Sequence, residues 1–96
     1  MVGVSFSPRS RKDLLEIGDY IAKDSRVNAQ RFVSKLMAQC EKINRAPLSY
    51  PGREDLAPGL RMASFDRYVI FFRIVNSAVR IERVLHGARH LPTFAY

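Results

Sequence analysis

Three short apolar runs in the second half of the chain constrain its fold more than any other feature. They are rich in β-branched and aromatic residues, and turn-forming residues separate them at Asp66 and at Asn76-Ser77. Such a composition favours the pleated, half-buried surface of a strand. The runs occupy residues 60–65, 68–75 and 78–85. The sequence therefore predicts a meander of three antiparallel strands.

The turn between the last two runs predicts which residues share a face of the sheet. A two-residue turn at Asn76-Ser77 pairs Arg73 with Arg80, and side chains alternate between the two faces of a strand. A core face then carries Ile70, Phe72, Ile74, Val79, Ile81 and Leu85. The opposite, mixed face carries Val69, Phe71, Arg73, Val75, Arg80, Glu82 and Val84.

The turn before the second run leaves two registers open. A three-residue turn at 65–67 directs Leu60 and Met62 to the core face and Arg61 to the mixed face. A two-residue turn buries Arg61 and exposes Leu60. Because burial of an unpaired arginine is costly, we prefer the three-residue turn.

The first half of the chain predicts one strand and two helices. Alternation at Val2, Val4 and Phe6 indicates a short strand, and Ser7-Pro8 is typical of a helix start. Apolar residues at helical spacing then predict a helix to residue 24 and a second one from Val27 or Asn28 to Pro47. These residues are Leu14, Ile17, Ile21, Phe32, Val33, Leu36, Met37, Cys40 and Ile43. The order β-α-α-β-β-β predicts an α+β fold, with a helical hairpin packed on an antiparallel sheet.

Chain length and amino-acid composition limit the classes of protein to which the chain can belong. A chain of 96 residues predicts one domain over residues 1–96, large enough for a core without disulfides. The single Cys40 excludes an intrachain disulfide, and we interpret it as packed core. No stretch approaches the roughly 18 apolar residues of a membrane span, so we expect a cytoplasmic protein. The two histidines, His86 and His90, have no acidic cluster nearby, and we expect no metal, cofactor or catalytic residue.

Charge points to an acidic partner. The net charge is +7, and residues 25–46 and 60–96 hold most of the excess. Such a balance favours a nucleic acid or an acidic protein segment, and composition does not separate the two. No recognition helix is evident, so we expect no sequence-specific nucleic-acid binding. Asp13 and Glu16 on the first helix are interpreted as a solvated, salt-linked surface.

Four sequence motifs, in their order along the chain, resemble those of one protein family. They are Ser-Pro-x-x-x-x-Asp-Leu-x-x-Ile-x-x-Tyr-Ile-Ala (7–22), Gly-Leu-Arg (59–61), Tyr-Val-Ile-Phe-Phe-Arg (68–73) and Ile-x-Arg-Val-Leu-His-Gly-Ala-Arg (81–89). Together they resemble the ParE toxins of the RelE/ParE superfamily of bacterial toxin-antitoxin systems. The resemblance implies a growth-inhibiting toxin of the kind found in plasmid stabilisation systems, which acts on DNA gyrase. It also implies a ParD-type antitoxin whose acidic C-terminal segment wraps the toxin in a hetero-oligomer.

The alternative within the superfamily is a RelE-like, ribosome-dependent mRNA endoribonuclease. Attack by a 2′-OH needs a base, an acid and cations for the phosphorane charge. Arg67 and Arg89 fall at the arginine positions of RelE-like toxins. The two lysine positions fall near Ala57 and Gly59, and the terminal aromatic position falls near Ala95. Because two arginines without a paired base do not make a nuclease, we prefer a toxin that works by binding.

Three surfaces are predicted to meet partners. The mixed face suits an acidic, amphipathic antitoxin segment, with contacts from Arg61, Val69, Phe71, Arg73, Arg80 and Val84. On the second helix, Val33, Met37 and Cys40 either belong to the core or meet an antitoxin helix. The gyrase contact is expected after the last strand and in the C-terminal tail, at Arg83, Arg89, His90, Phe94 and Tyr96.

Overall fold

The computed structural model describes residues 3–87 and has the predicted β-α-α-β-β-β order. The strands are β1 (Ser5–Phe6), β2 (Arg61–Phe65), β3 (Tyr68–Val75) and β4 (Ala78–His86). The helices are α1 (Pro8–Ala22) and α2 (Arg26–Arg45), followed by a 3-10 turn at Pro47–Ser49. No helix in this described range is long and apolar enough to cross a membrane.

The sheet is mixed rather than fully antiparallel. Its strand order is β1-β4-β3-β2, and β2, β3 and β4 form the predicted antiparallel meander. The edge strand β1 instead runs parallel to β4, with Ser5 opposite Arg80 and Phe6 opposite Ile81. Both helices lie between β1 and the meander in sequence, and such a long crossover is what a parallel pair requires.

Serine caps begin both helices. The Ser7 hydroxyl accepts a hydrogen bond from Ser10 N at 3.0 Å, and Pro8 follows at the first helical position. The Ser25 hydroxyl accepts from Asn28 N at 3.1 Å, so α2 begins at Arg26, one or two residues before the predicted start at Val27 or Asn28. Each cap satisfies a backbone donor that a helix leaves unpaired at its N-terminus.

The main core lies between α2 and one face of the sheet. It contains Leu36, Cys40, Ile43, Ala63, Ile70, Phe72, Val79, Ile81 and Val84, with Leu14 and Ile17 of α1 packed against it. Burial of one such aliphatic side chain contributes roughly 1.5–3 kcal/mol. Cys40 therefore has the structural role predicted for it, and burial raises the pKa of its thiol to about 12.

A β-bulge in β4 overturns part of the predicted face assignment. Phe72 pairs with Ile81 while Phe71 pairs with Arg83, so Glu82 is an extra residue. The extra residue shifts the alternation of side chains by one position. Val84, predicted on the mixed face, therefore lies in the main core, and Leu85, predicted in the core, lies on the opposite face. We call that opposite side, away from the helices, the outer face.

The preferred three-residue turn was also wrong. Phe65 pairs with Tyr68, so the turn is Asp66-Arg67, and Asp66 adopts a φ of 54°. Arg61 consequently lies on the helix side, where its Nη1 donates to the Tyr50 carbonyl at 2.7 Å. The penalty that we assigned to this register is avoided because the arginine is half-buried and has an acceptor.

A second, smaller core explains why Leu60 is not exposed in this register. Residues 51–60, the covering loop, fold over part of the outer face. There Leu56, Ala57 and Leu60 pack against Met62, Val69, Phe71 and Leu85. Arg53 N donates to Leu60 O at 2.6 Å, and the Glu54 carboxylate accepts from Gly59 N at 3.0 Å. The outer face is thus covered at one end and open near the β3–β4 turn.

Candidate functional site

The open end of the outer face carries two arginines directly opposite each other. Arg73 of β3 pairs with Arg80 of β4, as the two-residue turn at Asn76-Ser77 predicted. Both turn residues have positive φ, 51° and 65°, which is the geometry that matches the twist of a hairpin. Like charges directly opposite destabilise a sheet, so this pair requires a compensating group.

Glu82 supplies that group. Its Oε2 accepts from Arg73 Nε at 2.7 Å and its Oε1 accepts from Arg80 Nε at 3.1 Å. The Glu82 side chain is 9% exposed, whereas those of Arg73 and Arg80 are 29% and 37% exposed. Two guanidinium groups and one carboxylate leave a net positive charge on a surface that solvent reaches. We call these three residues the arginine pair with its bridging glutamate.

A cleft of about 800 Å³ lies beside α1 at the other end of β4. Its walls carry Arg9, Lys23, Arg67 and Arg83 together with Asp13, Glu16 and Asp19. Tyr68 and His86 also line it, and their rings meet edge to face with centroids 5.4 Å apart. Charges of both signs make the cleft a mixed electrostatic surface rather than a dedicated anion site.

Asp13 joins α1 to β4 at this cleft, contrary to the prediction of a solvated surface. Its Oδ2 accepts from Arg83 Nε at 2.8 Å and from Val84 N at 3.1 Å, and its Oδ1 accepts from Arg83 Nη2 at 3.0 Å. The side chains of Asp13 and Arg83 are 7% and 15% exposed. Because β1 ends at Phe6, the Asp13 carboxylate satisfies an edge of β4 that no strand covers.

The six residues predicted to bind the antitoxin do not form one surface. Arg73 and Arg80 stand together on the outer face, but Phe71 is buried and Val69 is half-buried beneath the covering loop. Val84 and Arg61 lie on the helix side of the sheet. Strict alternation grouped all six because it allowed for neither the bulge nor the shorter turn.

The residues predicted to contact gyrase are only partly described. Arg83 is engaged with Asp13 in a largely buried ion pair. Arg89, His90, Phe94 and Tyr96 lie outside the described residues. Between residues 3 and 87, no group of three or more His, Cys, Asp or Glu side chains could hold a metal ion.

The helical hairpin exposes apolar side chains as well. Val33 and Met37, one turn apart on α2, remain accessible, whereas Cys40 is buried in the main core. The interpretation of all three as core is therefore right for Cys40 alone. Leu15 of α1 is also exposed.

Sequence reasoning missed the roles of Asp13 and Glu82. Asp13 had a detectable signal, since Ser10, Asp13 and Ile17 follow one another at helical spacing on the buried side of α1. Glu82 also had a signal, because alternation placed it on the mixed face with Arg73 and Arg80, although its contact with both arginines was not predicted. Both residues are acids that hold arginines of the last two strands.

Comparison with known proteins gives a consistent result. A family model described as ParE toxin of type II toxin-antitoxin system, parDE, matches residues 4–91. The fold is similar to that of a chain in the chromosomal ParDE TA system from P. aeruginosa, with a TM-score of 0.74 and 20% sequence identity. The match covers 90% of this chain and 96% of that one. No curated protein sequence matches the chain significantly. The structural likeness shows a shared fold, while the family model spans most of the sequence.

Proposed function

We propose that this chain, which belongs to the ParE toxin family of type II toxin-antitoxin systems, inhibits DNA gyrase by binding it and is neutralised by a ParD-type antitoxin. The family membership supplies the toxin class. The antitoxin contact and the gyrase target are inferences from the chemistry of the surfaces described above. Since gyrase works in the cytoplasm, we place the activity there.

The arginine pair carries the proposal for antitoxin binding. An acidic segment crossing the outer face would place carboxylates against Arg73 and Arg80, forming charge-assisted hydrogen bonds that fix its position. Val75, exposed at the end of β3, offers an apolar contact beside them. The net charge of +7 would attract such a segment from a distance.

The buried members of the predicted site have a supporting role in this proposal. Val69 and Phe71 hold the covering loop, and Val84 and Arg61 fix β2 and β4 from the helix side. A second antitoxin contact is proposed on α2, where Val33 and Met37 present an apolar strip one turn long. An amphipathic helix laid along such a strip is a common mode of peptide recognition.

Gyrase binding is assigned to the end of the molecule where β4 stops. Arg67 and His86 line the cleft there, and Gly87, the next residue after His86, is the last one that the structure describes. The residues proposed to bind gyrase are those predicted from the sequence: Arg83, Arg89, His90, Phe94 and Tyr96. Arg83 contributes indirectly, because its ion pair with Asp13 holds α1 against β4. A bound antitoxin would then block or distort this region to neutralise the toxin.

The alternative, cleavage of mRNA on the ribosome, has less chemical support. Arg67 stands at an exposed turn, but the segment where RelE-like toxins carry lysines is the covering loop, with Ala57 buried and Gly59 in a turn. Arg53 of that loop is engaged with the Asp55 carboxylate at 2.9 and 2.8 Å. We therefore propose a non-enzymatic toxin.

One experiment separates the two activities. Purified toxin is incubated with gyrase and supercoiled plasmid, and loss of supercoiling activity and trapped cleaved DNA are scored. A parallel reaction contains ribosomes and mRNA, and each is repeated with antitoxin added in excess. The proposal expects inhibition of gyrase that antitoxin reverses and intact mRNA. Cleaved mRNA with unaffected gyrase would overturn it in favour of the nuclease.

A further inference from the structure

The burial of Glu82 is a feature of the outer face that antitoxin binding by itself does not explain. A carboxylate loses hydration when it is buried, and the loss is offset only by close cationic partners. Here the partners are two arginines that an acidic ligand would be expected to need for itself. Glu82 relieves the repulsion between the two arginines but also reduces the positive charge that an acidic ligand meets, so its effect on binding depends on what else it does to the arginines.

Glu82 is the most buried of the three side chains and binds both guanidinium groups. Each contact is made at Nε, the nitrogen nearest the main chain, with lengths of 2.7 Å to Arg73 and 3.1 Å to Arg80. This leaves the more distal Nη groups of Arg80 for an external acceptor. Arginine side chains otherwise sample many rotamers, and an interaction at Nε restricts them before any ligand arrives.

The arginine pair also belongs to a row of polar side chains that crosses the sheet. Ser5 of β1 is opposite Arg80 of β4, which is opposite Arg73 of β3. Neighbouring strands are about 4.8 Å apart, so the row spans roughly 10 Å. The two arginines are one strand spacing apart, so two acidic side chains of one peptide that crosses the strands can reach them.

We propose that Glu82 is a positioning residue of the antitoxin site, holding Arg73 and Arg80 in the orientation that receives carboxylates of an acidic peptide segment. The inference rests on the proposed function, because it presumes that this segment binds the outer face. Binding to arginines already held in place loses less conformational freedom than binding to mobile ones. The inference requires this gain to exceed the loss of charge attraction caused by Glu82, and the substitutions below measure that balance.

An acidic peptide fits the site better than a nucleic acid does. Binding to a phosphate backbone depends on several cations that are free to neutralise phosphates. The arginine pair has a net charge of one after Glu82 is counted, and Val75 and Ala78 beside it are apolar. Carboxylates spaced along an amphipathic segment match both the charge and the apolar neighbours.

Two substitutions of Glu82 distinguish positioning from charge cancellation. Glu82→Gln raises the net charge by one, so electrostatic steering predicts faster association at low salt. Glu82→Asp keeps the charge but shortens the side chain by one methylene, so it cannot reach both Nε atoms in the same way. Asp24→Asn, at an exposed position between α1 and α2, is the control, because it changes the net charge by the same amount as Glu82→Gln and lies outside every proposed contact surface.

The measurement is the rate of association and dissociation between immobilised full-length ParD-type antitoxin and each toxin variant at two salt concentrations. Circular dichroism and thermal unfolding verify that each variant is folded. The inference expects both Glu82 variants to dissociate about tenfold faster than the parent, even where Glu82→Gln associates faster. Asp24→Asn should leave dissociation unchanged. Tighter binding by Glu82→Gln, or a parental dissociation rate for Glu82→Asp, would overturn the inference.

The double variant Arg73→Ala/Arg80→Ala tests the proposed function separately. If it binds antitoxin as the parent does, the proposed site on the outer face is wrong and the positioning inference fails with it. If it binds weakly while both Glu82 variants behave as the parent, the site stands and only the role of Glu82 is refuted. Duplex DNA that binds the parent but not the double variant, while antitoxin binds both equally, would identify the pair as a nucleic-acid site and overturn both.

Discussion

Replacing Asp13 with Ala tests how α1 is held to the end of β4. The substitution removes three hydrogen bonds, two to the Arg83 guanidinium and one to Val84 N. It leaves a guanidinium that is 15% exposed without its partner and a backbone N–H without an acceptor. Breaking a buried ion pair from one side costs about 3–5 kcal/mol, and partial access of water to Arg83 places the expected loss near the lower end.

That loss is a large part of the stability of a small domain, which is about 5–15 kcal/mol. At about 4–8 °C per kcal/mol for a domain of this size, the melting temperature should fall by at least about 12 °C. Urea unfolding followed by circular dichroism measures the free energy directly. Asp19→Ala is the matched control, an exposed aspartate on the same helix that should change stability by less than about 0.5 kcal/mol.

A double variant makes the test stricter. Asp13→Ala/Arg83→Met removes both charges and fills the space with an apolar chain, so it should be more stable than Asp13→Ala alone. A value for Asp13→Ala within about 0.5 kcal/mol of the parent would refute the structural role of the carboxylate. A double variant no more stable than Asp13→Ala would show that the loss does not come from the stranded arginine.

Four further predictions concern the outer face and the two cores. Arg80→Ala should weaken antitoxin binding by about 1–3 kcal/mol in calorimetry, and an unchanged dissociation constant would contradict its contact role. Phe71→Ala should lower the unfolding free energy by about 3–5 kcal/mol, because the ring is buried under the covering loop; a near-neutral effect would mean that the loop is open in solution. Gly59→Ala should cost about 1 kcal/mol in urea unfolding, since Gly59 has a φ of +72°, and a stabilised variant would rule out that conformation. The buried Cys40 thiol has a pKa raised to about 12, so the unfolded chain, with a thiol pKa near 9.0, ionises first as the pH rises. Stability should therefore fall between about pH 9 and 12 more steeply than in Cys40→Ala, and equal slopes would show that the thiol does not contribute.

The order of elements and the start of α1 were predicted because their signals are local. Ser7-Pro8 begins α1, and the Asn76-Ser77 turn sets the pairing of Arg73 with Arg80. Each of these depends on a few neighbouring residues with known conformational preferences. The structure confirms that pairing, so the sequence alone identified the arginine pair.

The faces of β2 and the end of β4 could not be predicted because distant residues decide them. The covering loop buries Leu60, and the Tyr50 carbonyl gives Arg61 an acceptor, which together reverse the expected cost of the shorter turn. The bulge at Glu82 likewise has no local sequence signal, yet it exchanges the positions of Val84 and Leu85. Tertiary contacts outweighed strict alternation in both places.

Direct binding of the toxin to gyrase tests the central claim most closely. The 11.0 kDa chain, labelled with a fluorophore at its N-terminal amine, is titrated with purified gyrase while fluorescence anisotropy is recorded. We predict a saturable rise in anisotropy that excess antitoxin reverses. Constant anisotropy with active gyrase, for a toxin that still binds antitoxin, would contradict the claim that this toxin acts by binding gyrase.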